Sequence, residues 1–167
     1  MRIKLLNVAL VGLISVANVW ATDTVVNKIG LIAPHTPYSV RLKVNKGLRH
    51  CSGLNTNLVL SIIRVESNYR VGATNSRSLD YGLMQVNEWH VKRKSLSKQK
   101  LLEDVDYNMQ EGCKILRYFT TRYSITSEAI GRYNCGTKSD CIKWDGVKNY
   151  VKKVLTFKSK LDKMNKQ

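Results

Sequence analysis

Beyond residue 21 this 167-residue sequence has no apolar run long enough to cross a bilayer, which takes about 20 residues. It shows no internal repeat, and no stretch alternates apolar and polar residues strongly enough for a large sheet. Close CxxC pairs are missing, which argues against a zinc site built from four thiolates. No nucleotide-binding, metal-binding or Ser-His-Asp arrangement is present, and His35, His50 and His90 are isolated in sequence, so no cofactor is expected. Acidic residues are scarce, 12 against 28 Lys and Arg, for a net charge of +16. That excess raises nucleic acid as a partner. The cations are scattered, however, apart from Lys92-Arg93-Lys94 and the stretch from Lys152 to Lys166, and no basic stripe is interleaved with aromatics. The charge reads as a solvated surface with a weak preference for polyanions.

What is present begins with an export signal. Arg2 and Lys4 precede an apolar stretch from Leu5 to Val19 that only Asn7, Ser15 and Asn18 interrupt, and Val19-Trp20-Ala21 resembles a cleavage site. Residues 1–21 are therefore expected to be a signal peptide, cleaved near Ala21, and the mature protein is expected to be periplasmic or otherwise exported, with no transmembrane segment of its own. Its loss would remove only Arg2 and Lys4 from the charge excess. Outside the cytoplasm the positive surface meets cell wall and anionic lipid rather than a genome. Four cysteines, Cys51, Cys113, Cys135 and Cys141, all follow this segment. In an exported protein they predict two disulfides, with three pairings open. Cys135 and Cys141 are close enough to staple one loop, and Cys51 and Cys113 would then cross-link two helices.

The remaining chain reads as one small, mostly helical domain with at most a short hairpin. Residues 22–47, broken by Pro34, Pro37 and Gly47, are expected to be an N-terminal lead segment. The compact domain is expected over 48–157 and a basic tail over 158–167. A helix capped by Asn55 or Thr56 should run to about Tyr69, with Leu58, Val59, Ile62, Ile63 and Val65 apolar. A second should start at Asp104 or Asp106 and carry Met109, Cys113, Leu116 and Phe119 on one face. A short one is predicted near Ser127–Tyr133, opened by Thr126-Ser127-Glu128. The last should span Asp145–Phe157, with Val147, Tyr150, Val151, Val154 and Leu155 as a stripe. Residues 70–104 read as loop-rich.

Glu66 stands out. It falls on the same side of its helix as Ile62, Ile63 and Val59, where a carboxylate is costly to ionise and its pKa should rise. A carboxylic acid that keeps its proton near neutral pH is what a general acid requires, and glycoside cleavage is one reaction that needs such an acid. Periodicity alone favours instead a carboxylate that borders the apolar face and pairs with Arg64, Arg70 or a capping group.

The surrounding motifs weigh against that plainer reading. Ile63-Arg64-Val65-Glu66-Ser67-Asn68-Tyr69 resembles the helix-ending Glu-Ser motif of the soluble lytic transglycosylase domain. Gly82-Leu83-Met84-Gln85-Val86-Asn87 looks like that family's Gly-Leu-Met-Gln motif, Ile130-Gly131-Arg132-Tyr133-Asn134 is similar to its Ala-Tyr-Asn motif, and Tyr150-Val151 matches its final helix. Arg132 stands where the family usually has Ala, which would put a cation near the groove or point it to solvent. The small size, signal segment and cysteines look most like the specialised transglycosylases of type III and type IV secretion and conjugation machines.

The resemblance implies a lysozyme-like fold over about residues 48–157 and a peptidoglycan lytic transglycosylase. Glu66 would be the one acid/base, with a 1,6-anhydro product, and glycan strands and secretion or conjugation apparatus proteins would be the partners. It further implies that Ser67 orients Glu66, that Gly82 allows close approach of backbone to sugar or serves a turn, and that Met84 and Gln85 line the groove. Asn87 would shape that segment or touch sugar. Tyr133 would donate to the carboxylate or the reacting sugar, Asn134 would fix the loop, and Tyr150 would pack or form groove wall. Two rivals remain: a hydrolase similar to goose-type lysozyme, with Asp80 activating water, and a non-catalytic wall-binding assembly protein.

Overall fold

The computed structural model of the chain describes residues 24–124 and 126–164, so the expected signal peptide lies outside the described residues. Helix α1 covers 24–32 and α2 covers Tyr38–Gly47, followed by a 3-10 turn at Leu48–Cys51 and by α3 at Thr56–Glu66. Three two-residue strands come next: β1 (Thr74–Asn75), β2 (Asp80–Tyr81) and β3 (Val86–Asn87). Then follow α4 (Glu88–Lys94), α5 (Lys98–Glu103), α6 (Val105–Arg122), α7 (Thr126–Cys135), a 3-10 turn at Cys141–Lys143, and α8 (Asp145–Met164).

Helix α3 is the axis of the molecule. Asn55 starts it by accepting a hydrogen bond from the Leu58 amide, and every residue from Asn57 to Ile63 is buried. A helix covered on all sides needs neighbours all round, and α8 lies along it. Helix α6 is capped by Asp104, whose side chain accepts from the amides of Asp106 and Tyr107. It buries Met109, Cys113, Leu116 and Phe119, the face its spacing predicts. The sheet is antiparallel with order β1-β2-β3, one strand more than a hairpin, and places Asp80 opposite both Asn75 and Asn87.

Three sequence expectations need correction. Residues 24–47 are not a lead segment: α1 and α2 place Ile29, Ile32, Ala33 and Val44 in the core. The prolines separate two helices rather than forbidding them, since proline is tolerated where a helix begins; Pro37 caps α2, and Arg41 donates to the carbonyls of Pro34 and Thr36 to hold the connection. Residues 158–164 are not tail either. They continue α8, with Leu161 fully buried. A polar chain joins these additions to the core: Lys28 Nζ donates to Asn57 Oδ1 at 3.1 Å, Asn57 Nδ2 to Asp162 Oδ1 at 2.8 Å, and Lys158 pairs with Asp162 at 2.7 Å. Finally, the loop-rich section contains α4 and α5, helices of seven and six residues that are too short to show a period.

Both disulfides form, as Cys51–Cys113 and Cys135–Cys141, with Cα separations of 5.2 and 6.0 Å. The first ties the turn after α2 to α6, and the second closes the loop after α7. Among the described residues there is no free cysteine and no group of three His, Cys, Asp or Glu side chains that could hold a metal ion. No helix among them is long and apolar enough to cross a membrane.

Candidate active site

Helix α3 stops at Glu66 rather than at Tyr69. Asn68 and Tyr69 both take left-handed backbone, with φ of 53° and 62°, a conformation that non-glycine residues enter only at a cost. Burial of the Tyr69 ring and its hydroxyl's bond to the Leu60 carbonyl, 2.9 Å, hold the chain there. The termination leaves Glu66 on the last turn, partly exposed, at the negative end of the helix dipole. Arg64 and Arg70 do not pair with it: Arg64 donates to the Ile32 carbonyl and lies over the Phe157 ring, and Arg70 donates to the Ser67 carbonyl.

With no cation paired to it among the described residues, desolvation of the carboxyl dominates its chemistry and pushes the pKa of Glu66 up to about 8, with the charge of Asp80 adding to the rise. A hydrogen bond from Tyr150 opposes it. The Tyr150 hydroxyl donates to Glu66 Oε1 at 2.6 Å, and burial keeps that phenol's own pKa well above the usual range. At pH 7 an acid with a pKa near 8 is protonated in about ten molecules for every one ionised. Oε1 is thus fixed by a neutral donor while the other oxygen is free to carry the acidic proton. Tyr150→Phe should remove the opposing bond and raise the Glu66 pKa further. The alkaline limb of the pH–activity profile is expected to move to higher pH, and a limb that stays in place or moves down would contradict this role.

The motif around Gly82 is a turn that follows β2. Gly82 has φ 77°, and a Cβ there would fall 2.0 Å from the Leu101 carbonyl oxygen, so glycine serves the turn and its packing against α5 and α6. Gln85 also takes positive φ; its amide donates to the carbonyls of Gly82 and Ala73 at 2.7 and 3.1 Å. Asn87 caps α4 and donates to Asp80 Oδ1 at 2.7 Å, its partner across the sheet. Met84 is not a groove residue. It is fully buried against Gly112 of α6, where the lack of a side chain makes room for it. Ser67 does not orient Glu66 either: it is buried, and its hydroxyl donates back to the Ile63 carbonyl at 3.3 Å.

Sequence reasoning missed Asn108, which holds this turn from below. On the buried face of α6, its amide donates to the carbonyls of Tyr81 and Leu101 at 3.0 and 2.9 Å and accepts from the Met84 amide at 2.8 Å. The available signal was an amide directly before core residue Met109 on a buried helix. Replacing it by Ala strands three backbone groups, so Asn108→Ala should cost about 3 kcal/mol in a denaturant titration. A loss below about 1 kcal/mol would show that the turn does not depend on it.

Helix α7 closes the site. The Tyr133 hydroxyl donates to the Met84 carbonyl at 2.8 Å rather than to Glu66, which corrects the first of its two expected roles: Tyr150 is the tyrosine on the carboxyl. The negative charges of Glu66 and Asp80 nevertheless act on Tyr133, after burial, to raise its pKa well above the ordinary value. Asn134 is exposed. Arg132 neither enters the groove as a free cation nor points to solvent. It is buried, donates to the carbonyls of Lys138 and Ser139 at 2.7 and 3.3 Å, and thereby braces the loop between Cys135 and Cys141.

Asp80 is the second carboxylate near Glu66. Its Oδ1 accepts from Asn87, and its Oδ2 accepts from the Ser78 hydroxyl.

A family model described as the transglycosylase SLT domain matches residues 46–154. Invasion protein IagB of Salmonella typhi is 33% identical over 118 residues, covering 67% of this chain and 72% of that protein. A peptidoglycan-binding-like protein of Escherichia coli O157:H7 is 30% identical over 125 residues, covering 67% and 74%. Among solved structures, an inactive mutant of the lytic transglycosylase Slt from Pseudomonas aeruginosa superposes with a TM-score of 0.60 and 21% identity. It covers 77% of this chain but only 25% of the larger one, and at that identity it shows a shared fold.

Proposed function

The chain belongs to the transglycosylase SLT family, and from that premise we propose that it is a peptidoglycan lytic transglycosylase with Glu66 as its single acid/base catalyst. The observation that carries the reading is the Glu66 carboxyl itself: at the end of a buried helix, held on one oxygen by Tyr150, and with a pKa raised to about 8. An acid so placed stays protonated under the conditions in which it must act.

In the first step Glu66 gives its proton to the oxygen linking N-acetylmuramic acid to N-acetylglucosamine. The bond from the muramoyl anomeric carbon to that oxygen breaks, and the N-acetylglucosamine side leaves as an alcohol. In the second step the muramoyl 6-hydroxyl oxygen bonds to the same carbon while the Glu66 carboxylate takes the hydroxyl proton. The product is a 1,6-anhydro sugar, the catalyst regains its starting state, and no water is consumed. The nucleophile belongs to the substrate, so the second carboxylate of most glycosidases is unnecessary.

One observation favours a second reading. The charge of Asp80 is felt at Glu66, so a lysozyme-like hydrolysis with Asp80 activating water has a carboxylate at hand. Against it, both Asp80 oxygens already accept hydrogen bonds, from Ser78 and Asn87.

Export is part of the proposal. The signal-like first 21 residues and two disulfides suit an oxidising compartment such as the periplasm. The likeness to specialised transglycosylases, with an invasion protein among the relatives, supports local wall opening for a secretion or conjugation machine, whose apparatus proteins would be its partners.

Mass spectrometry of muropeptides released from purified peptidoglycan tests the chemistry. Products ending in 1,6-anhydromuramic acid are expected. Reducing ends carrying an added water would replace this reading with the hydrolase, and no release would leave a wall-binding protein.

A further inference from the structure

The loop between α7 and α8 is braced far more heavily than its length requires. A disulfide joins Cys135 to Cys141, and buried Arg132 reaches in to hold the carbonyls of Lys138 and Ser139. Gly131 lets α7 press against the far end of the same segment: a Cβ there would sit 3.3 Å from Val147 and 3.5 Å from Ile142. What this bracing holds up is Trp144. The residue is 52% exposed, its carbonyl begins α8 by accepting from the Lys148 amide, and Lys138 Nζ lies 5.9 Å from the ring centroid. A single exposed apolar residue needs no explanation. An exposed indole carried on a backbone segment braced by a disulfide, a buried guanidinium and a close helix contact is a different matter, because the bracing lowers the backbone entropy that a flexible platform would lose on binding.

Position points the same way. The loop departs from α7 two residues after Tyr133, which touches the Gly82–Gln85 turn, and rejoins the fold six residues before Tyr150, which holds Glu66. We propose that Trp144 is a stacking platform for a pyranose ring of the glycan strand away from the scissile bond, a sugar-binding subsite built on the disulfide-closed rim. The broad apolar face of an indole suits the C–H face of an N-acetylhexosamine, and its N–H remains available to a sugar hydroxyl.

This inference rests on the glycan-cleaving function proposed above, and its test separates the two. Binding of a β-1,4-linked N-acetylglucosamine hexamer is measured by calorimetry on full-length protein carrying Glu66→Gln, so that turnover plays no part. Adding Trp144→Ala should weaken binding about tenfold, whereas Trp144→Phe, which keeps a stacking face, should recover most of the affinity. Trp89→Ala, which removes the exposed indole on α4, should leave it unchanged. Unaltered melting temperature in the Trp144 variants confirms that the rim still folds. Equal affinity in the parent and Trp144→Ala proteins overturns the subsite, as does failure of the parent to bind the hexamer at all. If the hexamer binds through Trp144 but wild-type protein releases no muropeptides, the subsite stands and the proposed enzymatic activity falls.

Discussion

Glu66→Gln is expected to reduce release of anhydro-muropeptides by about 10³-fold, because in the proposed mechanism the substitution removes the donor of the first step and the acceptor of the second. The amide keeps the shape of the carboxyl and an oxygen for Tyr150, so the fold should survive. Stability gives an independent reading of the same side chain. In the folded protein the pKa of Glu66 is about 8, against 4.5 for an unperturbed glutamate, so between these values the folded state binds more protons than the unfolded one. Stability must then fall as pH rises through that window. The wild-type protein should lose stability from about pH 4.5 to pH 8, and Glu66→Gln should lack that component and be at least as stable above pH 8. Denaturant titrations at several pH values, run beside the muropeptide assay, check both. Full activity in the variant would end the single-acid mechanism; a stability profile parallel to wild type would show that the carboxyl is not desolvated.

The two disulfides should differ sharply in what they contribute to stability. Cys51–Cys113 closes 62 residues of chain and Cys135–Cys141 closes six. Restriction of the unfolded chain makes the first worth about 4 kcal/mol and the second about 2 kcal/mol. The first pair is also buried in the core between the α2 turn and α6, so replacing it with alanines removes sulfur from a packed interior. The Cys51→Ala, Cys113→Ala protein is expected to melt roughly 15 °C below wild type. The Cys135→Ala, Cys141→Ala protein should lose about half as much or less. Its deficit should fall instead on glycan binding, through the rim that carries Trp144. Thermal melts of the two double variants in oxidising buffer decide this, and equal losses would contradict the loop-length argument.

Much of this architecture is legible without coordinates, and the reason is local. Asn55 and Asp104 cap the helices that follow them, because a short polar side chain beside its own backbone needs no distant partner. The Met109, Cys113, Leu116 and Phe119 face follows from helical spacing, and Glu66 is conspicuous because it is a carboxylate on an apolar side. The disulfide between Cys135 and Cys141 is suggested by proximity along the chain. The errors have the opposite character. Met84 and Ser67 sit in the right motifs, yet both are buried away from the carboxyl, because direction depends on what packs above them. Residues 24–47 and 158–164 look dispensable until Lys28, Asn57, Asp162 and Lys158 are found in one polar chain that crosses the fold.

The sequence by itself therefore determined where α3, α6, α7 and the first part of α8 lie, the thiol pairs on offer and the one acid worth watching, since capping, periodicity and burial cost all act within a few residues. Tertiary structure alone decided that Tyr150 rather than Tyr133 holds Glu66, that Asn108 supports the Gly82 turn, and that Arg132 braces the rim. Those contacts join residues far apart in the chain or depend on where a side chain is sent once helices dock. They are set by how α3, α6, α7 and α8 pack together, and no local pattern encodes that geometry.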